Sequence, residues 1–374
     1  MKYKPTKLES RLMEGSTAED LRLPKEPPAA PKTLSPEQVR RDISVLARAL
    51  ILGYALWPEL DKHLRAETML ELEKLYNANG SIAAEDFHCA LGKITIKLPD
   101  NHFRLWMGDN IIDRRRKDLK DVGRNRANET GWKVELDGNG VATIALARMG
   151  DIAEEEIEKF HAATLHAIDQ SSAVIIDLRG NGGGDSRIAT PIVHRLYGAH
   201  VSLWKNRLTR GTKEGAIVRN SVNIIMDRPQ EEEGDGNEDP VKGYKDAVFP
   251  EFNGDNGYDK PVYMLLDGKV ASSGEGFYMM LHRHPKLTAV GDNTAGMTRG
   301  GNVADVILPA SGITACIAVD APIFFDDAKA EEFVGFEPDI RVEDGQDAYE
   351  IALAHLANHG KIASVAFRNR RGRE

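Results

Sequence analysis

Three short segments hold residues whose types and spacing could do chemistry. The first is VYMLLDGKVASSGEGFYMMLHRH, where an apolar run stops and Ser272 stands at the start of a helical pattern. A strand–turn–helix setting exposes a serine hydroxyl for nucleophilic attack and puts the N–H of Ser273 at the positive end of a helix. The same residues, Ser272 to Glu275, also spell a capping box, and a plain helix cap is the commoner use of such a serine. The second segment is DLRGNGGGD, Asp177 to Asp185. Its consecutive glycines let the backbone turn sharply and bring bare N–H groups up to a phosphate or an oxyanion. It lacks the Gly-Lys-Ser/Thr of a Walker loop, and Asp185 stands where a dinucleotide fingerprint needs its third glycine. A tight turn without chemistry stays open here; the flanking Asp177 and Arg179 lean toward function. The third segment is LPDNHFRL, Leu98 to Leu105. Of the eleven histidines, His102 is the one whose neighbours look least like a helix face. His63, His161, His166, His355 and His359 sit in helical patterns, and His282 and His284 flank the Ser272 helix without a paired ligand cluster, so no metal site is expected.

The elements around these segments follow from periodicity. Residues 1–34 end in the Pro-rich LPKEPPAAPKTL and read as a tail or strap rather than packed structure. Ser35, Pro36 and Gln38 then make a capping box with Pro at the first helical position. With further helix signals over 63–77 and 83–95, residues 35–130 read as a helical subdomain ending in the LPDNH motif. WKVEL and VATIAL, joined by DGNG, predict a β-hairpin. An acidic amphipathic helix is expected over 151–170, then the buried strand AVIIDLRG, and a helix through Ile188, Ile192, Val193 and Leu196. Residues 205–258 read as a long irregular segment with a mobile acidic loop near 228–240. The strand PVYMLLDG, a helix over 272–284, the strand LTAVGD, a β-rich stretch over 303–325 and a helix over 346–358 complete an α/β core placed at 131–358. A basic tail fills 359–374. Strands alternating with helices imply a mixed, largely parallel sheet.

Composition narrows the partners. The net charge of −9 argues against a nucleic-acid binder and gives no hint of a basic membrane surface. Two cysteines, Cys89 and Cys316, build neither a disulfide framework nor a zinc site. No apolar run reaches the length of a membrane span, and the first thirty residues lack a signal-peptide stretch, so the sequence as written reads as cytoplasmic. No cofactor is expected.

Taken together, DLRGNGGG, ASSGEGF, VGDNTAG and VGFEPDI, in that order and preceded by LPDNH, resemble the tail-specific, or carboxy-terminal-processing, peptidase superfamily. The resemblance runs from about residue 40 to 345. It implies an α/β core of the ClpP and crotonase type with an N-terminal helical region. It also implies a serine peptidase acting on peptide or protein substrates, with assembly of like chains left open. One branch pairs serine with a lysine just after the glycine of the VG–T–G segment; this chain reads Gly296-Met297 there, and Met takes up no proton. The tricorn-type branch has a histidine from the upstream motif and a glutamate before the G–PD segment, which His102 and Glu332 match. Asn101 stands where that branch has serine. The segment between the His102 motif and the hairpin is too short for a PDZ domain. The resemblance thus implies Ser272 as nucleophile, His102 as its base and Glu332 fixing the imidazole. It implies Ser273 and Gly182 or Gly183 as oxyanion donors, and Asn101 as the fourth member of the set. Without it, Glu332 in AKAEEF reads as a solvated residue. A ligand-binding member without catalysis, and an esterase or acyltransferase using the same serine, remain the alternatives.

Overall fold

The computed structural model describes residues 3–26, 28, 31–114, 117–201, 206–225, 229–230, 241–243, 252–323 and 332–358. In chain order its elements are α1 (Lys7–Leu12), β1 (Thr33–Leu34), α2 (Pro36–Arg48), α3 (Lys62–Tyr76), β2 (Ile82–Ala83), α4 (Ala84–Thr95), β3 (Arg104–Met107) and β4 (Asn110–Ile112). There follow β5 (Trp132–Leu136), β6 (Val141–Leu146), α5 (Glu154–Gln170), β7 (Ala173–Asp177), α6 (Thr190–Tyr197), β8 (Asn206–Thr209), α7 (Lys213–Ile225) and β9 (Val241–Gly243). The last are β10 (Val262–Leu266), α8 (Ser273–Leu281), β11 (Leu287–Gly291), β12 (Gly301–Ile307), β13 (Thr314–Ile323), β14 (Ile340–Arg341) and a helix α9 over 348–358. The class is mixed α/β, as expected. The chain divides into two compact units.

The first unit comprises the described residues within 1–115, 204–247 and 299–324. Helix α2 begins as its sequence predicts: Ser35 N–H donates to Gln38 Oε1 at 2.8 Å, and Ser35 Oγ accepts from Gln38 N–H at 3.4 Å. A π-helical turn, Ala49–Gly53, ends it and delivers the buried Tyr54 and Trp57 to the core. The sheet is antiparallel in the order β4-β3-β13-β8-β9, with β12 paired to β13. Two expectations are corrected here. The stretch before residue 35 is not unpacked: Thr6 and Glu9 cap α1 reciprocally, and Leu12 and Leu21 are fully buried in the same core as Leu46 and Ile317. Nor is 205–258 irregular throughout. It supplies β8 and the thirteen-residue α7, whose Ala216, Ile217, Val218 and Val222 are buried. The acidic run from 231 to 240 and the basic tail from 359 lie outside the described residues. The β-rich stretch expected in the α/β core, now β12 and β13, belongs to this first unit.

The second unit comprises the described residues within 116–203, 248–298 and 325–374. Its sheet has the order β14-β11-β10-β7-β6-β5, parallel except for the β5–β6 hairpin. Parallel strands need cover on both faces, and the sequence supplies it by alternation. In β7, Val174 and Ile176 pack toward the cluster that holds Phe160, Ile192 and Phe277, from α5, α6 and α8. Ala173 and Ile175 pack toward the cluster of Val342, Ala348 and Ala352, the last two from α9. Truncating a fully buried Ile175 to Ala would cost about 2–5 kcal/mol. Three neighbouring strands, β7, β10 and β11, end on the same side. The loops after their carboxyl ends are 178–185, 267–272 and 292–298, the place where open parallel sheets bind ligands.

Candidate active site

Ser272 ends the loop after β10 in a conformation no ordinary cap uses. Its φ is 52° and its ψ −119°. The capping residues of α1, α2 and α3, namely Thr6, Ser35 and Asp61, all sit at negative φ, between −53° and −74°. Positive φ at a residue with a Cβ costs on the order of 1–3 kcal/mol and persists only where surrounding bonds impose it. Those bonds are present. Ala271 N–H donates to Asn181 O at 3.0 Å, Gly274 N–H to Ala271 O at 2.9 Å, and Gly276 N–H to Ser272 O at 2.9 Å. The capping box exists as well, with Ser272 N–H on Glu275 Oε2 at 3.2 Å.

The glycine loop after β7 presses against this turn. A Cβ on Gly183 would stand 2.8 Å from Ala271 O and 2.9 Å from both Ser272 Cβ and Ser273 N. Gly183 has φ 97°, so the position needs glycine twice over. Ser273 Oγ donates to Gly184 O at 2.6 Å, which ties the helix start to the loop and gives that hydroxyl a structural part. Of the two glycines expected to offer N–H groups, Gly183 aims its own at Asn181 Oδ1, at 2.9 Å. Around Gly182 the space is open: among the described residues no heavy atom would lie within 4 Å of a Cβ there. Asp177 and Arg179, which leaned the sequence reading toward function, form a buried fork instead. Arg179 Nε and Nη2 meet the two Asp177 oxygens at 2.9 and 2.8 Å, while Nη1 reaches Val122 O and Asp347 Oδ1. They hold the end of β7.

Glu275 is the residue that sequence reasoning used only as a cap. It is fully buried, and besides Ser272 N–H its carboxylate accepts Thr294 Oγ1 at 2.5 Å, Gly296 N–H at 2.9 Å and Met297 N–H at 2.7 Å. Burial pushes its pKa up, and the four donors pull it back. One carboxylate thereby joins the Ser272 turn to the loop after β11. Met297 is buried and packs with Ala271 and Ala295, so the position where the Ser–Lys branch has its base is apolar here. Lys269, the lysine nearest in sequence, is exposed. Glu332 is half-buried, and its Oε2 accepts Thr298 N–H at 3.1 Å. Next to it, Phe333 N–H donates to Gly296 O at 2.9 Å and Phe336 N–H to Thr294 Oγ1 at 2.8 Å. Gly335 comes so close to Thr294 that a Cβ would stand 2.2 Å from its carbonyl oxygen, which explains the glycine of VGFEPDI.

The second unit thus gathers Ser272, Ser273, Gly182, Gly183 and Glu332. Asn101 and His102 are carried by the first unit, in the turn between α4 and β3, and both are buried. The turn is made by Asp100, whose Oδ1 accepts His102 N–H at 2.9 Å. Burial pushes the His102 pKa down to about 3, with the Arg104 guanidinium adding to the effect, so the imidazole is neutral near pH 7. Among the described residues, no group of three His, Cys, Asp or Glu could hold a metal ion, and no helix is long and apolar enough to cross a membrane.

Residues 140–342, more than half of the chain, match the sequence profile of peptidase family S41. The chain belongs to peptidase family S41. The matched span of this S41 peptidase covers β6 through β14 and so includes the glycine loop, the Ser272 turn and the Glu332 segment. No curated protein sequence matches it significantly. Among solved structures, a candidate peptidase from Parabacteroides merdae ATCC 43184 is 16% identical with a TM-score of 0.55, covering 86% of this chain and 97% of its own; that likeness is one of fold. A lipoprotein from Streptococcus agalactiae is 13% identical with a TM-score of 0.47, over 87% of this chain and 98% of its own. Tricorn protease is 13% identical with a TM-score of 0.43, over 86% of this chain and 37% of its own.

Proposed function

We propose that this S41 member is a serine peptidase that cleaves peptide bonds through an acyl-enzyme on Ser272. The observation that carries the reading is the positive φ of Ser272 at the head of α8, against the negative φ of the serine and other residues that merely cap helices. A serine with strained backbone on a strand-to-helix turn is the setting from which a nucleophilic hydroxyl meets a carbonyl. His102 takes the hydroxyl proton, Ser272 Oγ attacks the carbonyl carbon, and the proton passes on to the leaving amine. Water then releases the acyl group by the same steps. Ser273 N–H, at the positive end of α8, and Gly182 N–H hold the oxyanion; losing one such donor typically costs about 10²–10³ in rate. Glu332 supplies negative charge that favours the imidazolium, and Asn101 supports the His102 turn. The buried, apolar setting of Met297 speaks against a lysine-like base beside the serine.

The test is mass spectrometry of the full chain after a fluorophosphonate probe, paired with digestion of a peptide library. Labelling of Ser272 together with peptide cleavage is the expected result. An unlabelled chain sinks the enzyme reading, and labelling with turnover of esters but not peptides moves the substrate class.

A further inference from the structure

The His102 turn holds a carboxylate that the sequence reading left out. Asp100 is 1% exposed. Its Oδ1 accepts His102 N–H at 2.9 Å, an Asx turn that fixes the backbone carrying the ring, and the same oxygen stands 3.7 Å from His102 Nδ1. Its Oδ2 accepts the hydroxyl of Tyr54 at 2.9 Å. The Tyr54 ring is fully buried and meets Phe103 edge-on, with ring centroids 6.2 Å apart, so one side chain braces the turn on both sides of the histidine. Gly300 closes over the carboxylate: a Cβ there would stand 3.1 and 3.2 Å from its two oxygens. Among the described residues, the other charged or titratable groups acting on this cluster are Arg299 ahead of β12, Asp305 on β12, Arg104 on β3 and Cys316 on β13.

A histidine base works only if its lone pair is on the nitrogen that meets the substrate hydroxyl, and the partner of the other nitrogen decides this. At 3.7 Å the Asp100 oxygen is too far from Nδ1 for a hydrogen bond. Burial raises the Asp100 pKa, and the bonds from His102 N–H and the Tyr54 hydroxyl oppose this; in its ionised form the carboxylate is close enough for its charge to favour a proton on that nitrogen over one on the far side of the ring.

We propose that Asp100, held by Tyr54, is the positioning residue of His102: it fixes the turn that carries the ring and keeps the ring proton on Nδ1, leaving Nε2 as the accepting nitrogen. The inference rests on the reading of His102 as base. Glu332 adds charge to the imidazolium, whereas Asp100 sets the tautomer before the reaction starts.

The experiment compares the full chain with Asp100→Asn, Tyr54→Phe and His102→Gln. Two quantities are read: the tautomer of His102 by ¹⁵N-histidine NMR, assigned with the His102→Gln spectrum, and the rate at which a fluorophosphonate labels Ser272 as a function of pH. The wild type should carry its proton on Nδ1. Asp100→Asn should lose that preference and label roughly a hundredfold more slowly, since a wrong tautomer cripples a base whose geometry is intact. Tyr54→Phe removes a donor that favours the ionised carboxylate, so the acid limb of the labelling rate should move to higher pH. A wild-type proton on Nε2, an Asp100→Asn chain that labels at the wild-type rate, or an unmoved limb in Tyr54→Phe overturns the proposal. Should Asp100→Asn fail to fold, the wild-type tautomer and the Tyr54→Phe limb decide it. Wild-type labelling by His102→Gln refutes the parent reading of the base, and this is a different result from a silent Asp100→Asn beside an inactive His102→Gln.

Discussion

The backbone N–H of Met297, in the loop after β11, donates at 2.7 Å to the buried carboxylate of Glu275 in the first turn of α8. That bond and its three companions hold the Ser272 turn and the loop after β11 as one piece. Glu275→Gln places two N–H donors where four donors already converge, so at least one buried donor loses its acceptor. We expect a loss of about 1–3 kcal/mol for each such group, read as a lower urea midpoint. An unchanged midpoint would mean that the carboxylate is not the hub that its contacts describe.

Ser272 ties activity to strain. Ser272→Ala should remove turnover and probe labelling, since the neighbouring Ser273 hydroxyl is engaged with Gly184 O at 2.6 Å, and should leave the fold in place, a lost cap costing about 1 kcal/mol. Ser272→Gly should be equally inactive and yet at least as stable as the native chain, because glycine adopts φ 52° without the penalty that a Cβ brings. Thermal denaturation of the two variants checks this. A Ser272→Gly chain clearly less stable than Ser272→Ala would remove the claim of strain at the serine.

Gly182 and Gly183 are neighbours with opposite tolerance. Gly183→Ala would drive a methyl group into backbone atoms of the Ser272 turn at 2.8–2.9 Å and impose positive φ on alanine. It should cost more than about 1 kcal/mol and inactivate the enzyme by displacing the serine. Gly182→Ala meets open space and should fold normally. Its defect, if the Gly182 N–H holds the oxyanion, is in turnover alone, and comparing midpoints with labelling rates separates the two cases.

Much of the second unit was legible because its strands are short apolar runs bounded by turn residues, as at Asp137-Gly138 and Asn139-Gly140, and in the first unit α2 was legible because Ser35 and Gln38 stand at capping-box spacing. Helix α7 was not legible. Thr212 caps it, its Oγ1 accepting Gly215 N–H at 3.0 Å, but a glycine follows in the first turn and the β-branched residues of KEGAIVRNSVNII read as readily as strand. Nor was the first unit's assembly from three separated segments, since β8, α7, β12 and β13 join it through pairings over a hundred residues away, which no local pattern encodes. At the candidate site, order along the chain picked out Ser272, while the difference between a cap and a strained turn lies in one dihedral angle. Asp177 and Arg179 looked functional because charge beside glycines attracts attention; burial shows them to be a clamp. Asp100 and Glu275 were missed in the opposite sense, since an acid in a Pro-Asp-Asn turn or at the third position of a helix has a sufficient local explanation.

The neutral state of His102 makes stability depend on pH in a defined direction. In the unfolded chain a histidine takes up its proton near pH 6.5, whereas burial in the folded state delays uptake to about pH 3. Between these values the unfolded state binds more protons. The stabilisation is therefore complete above about pH 6.5 and is lost as pH falls through the window toward 3, at up to about 1.4 kcal/mol per pH unit. Asp100 acts with the opposite sign, since burial raises its proton affinity in the folded state, and that carboxyl is kept in a His102→Gln chain. Comparing native chain with His102→Gln thus isolates the imidazole. Urea midpoints measured from about pH 7 down to about pH 5 should converge or cross, with the native chain losing stability faster than the variant. Parallel curves over that range would mean that His102 is charged or solvated in the folded protein, and a base with an ordinary histidine titration would then have to be fitted to the Ser272 chemistry.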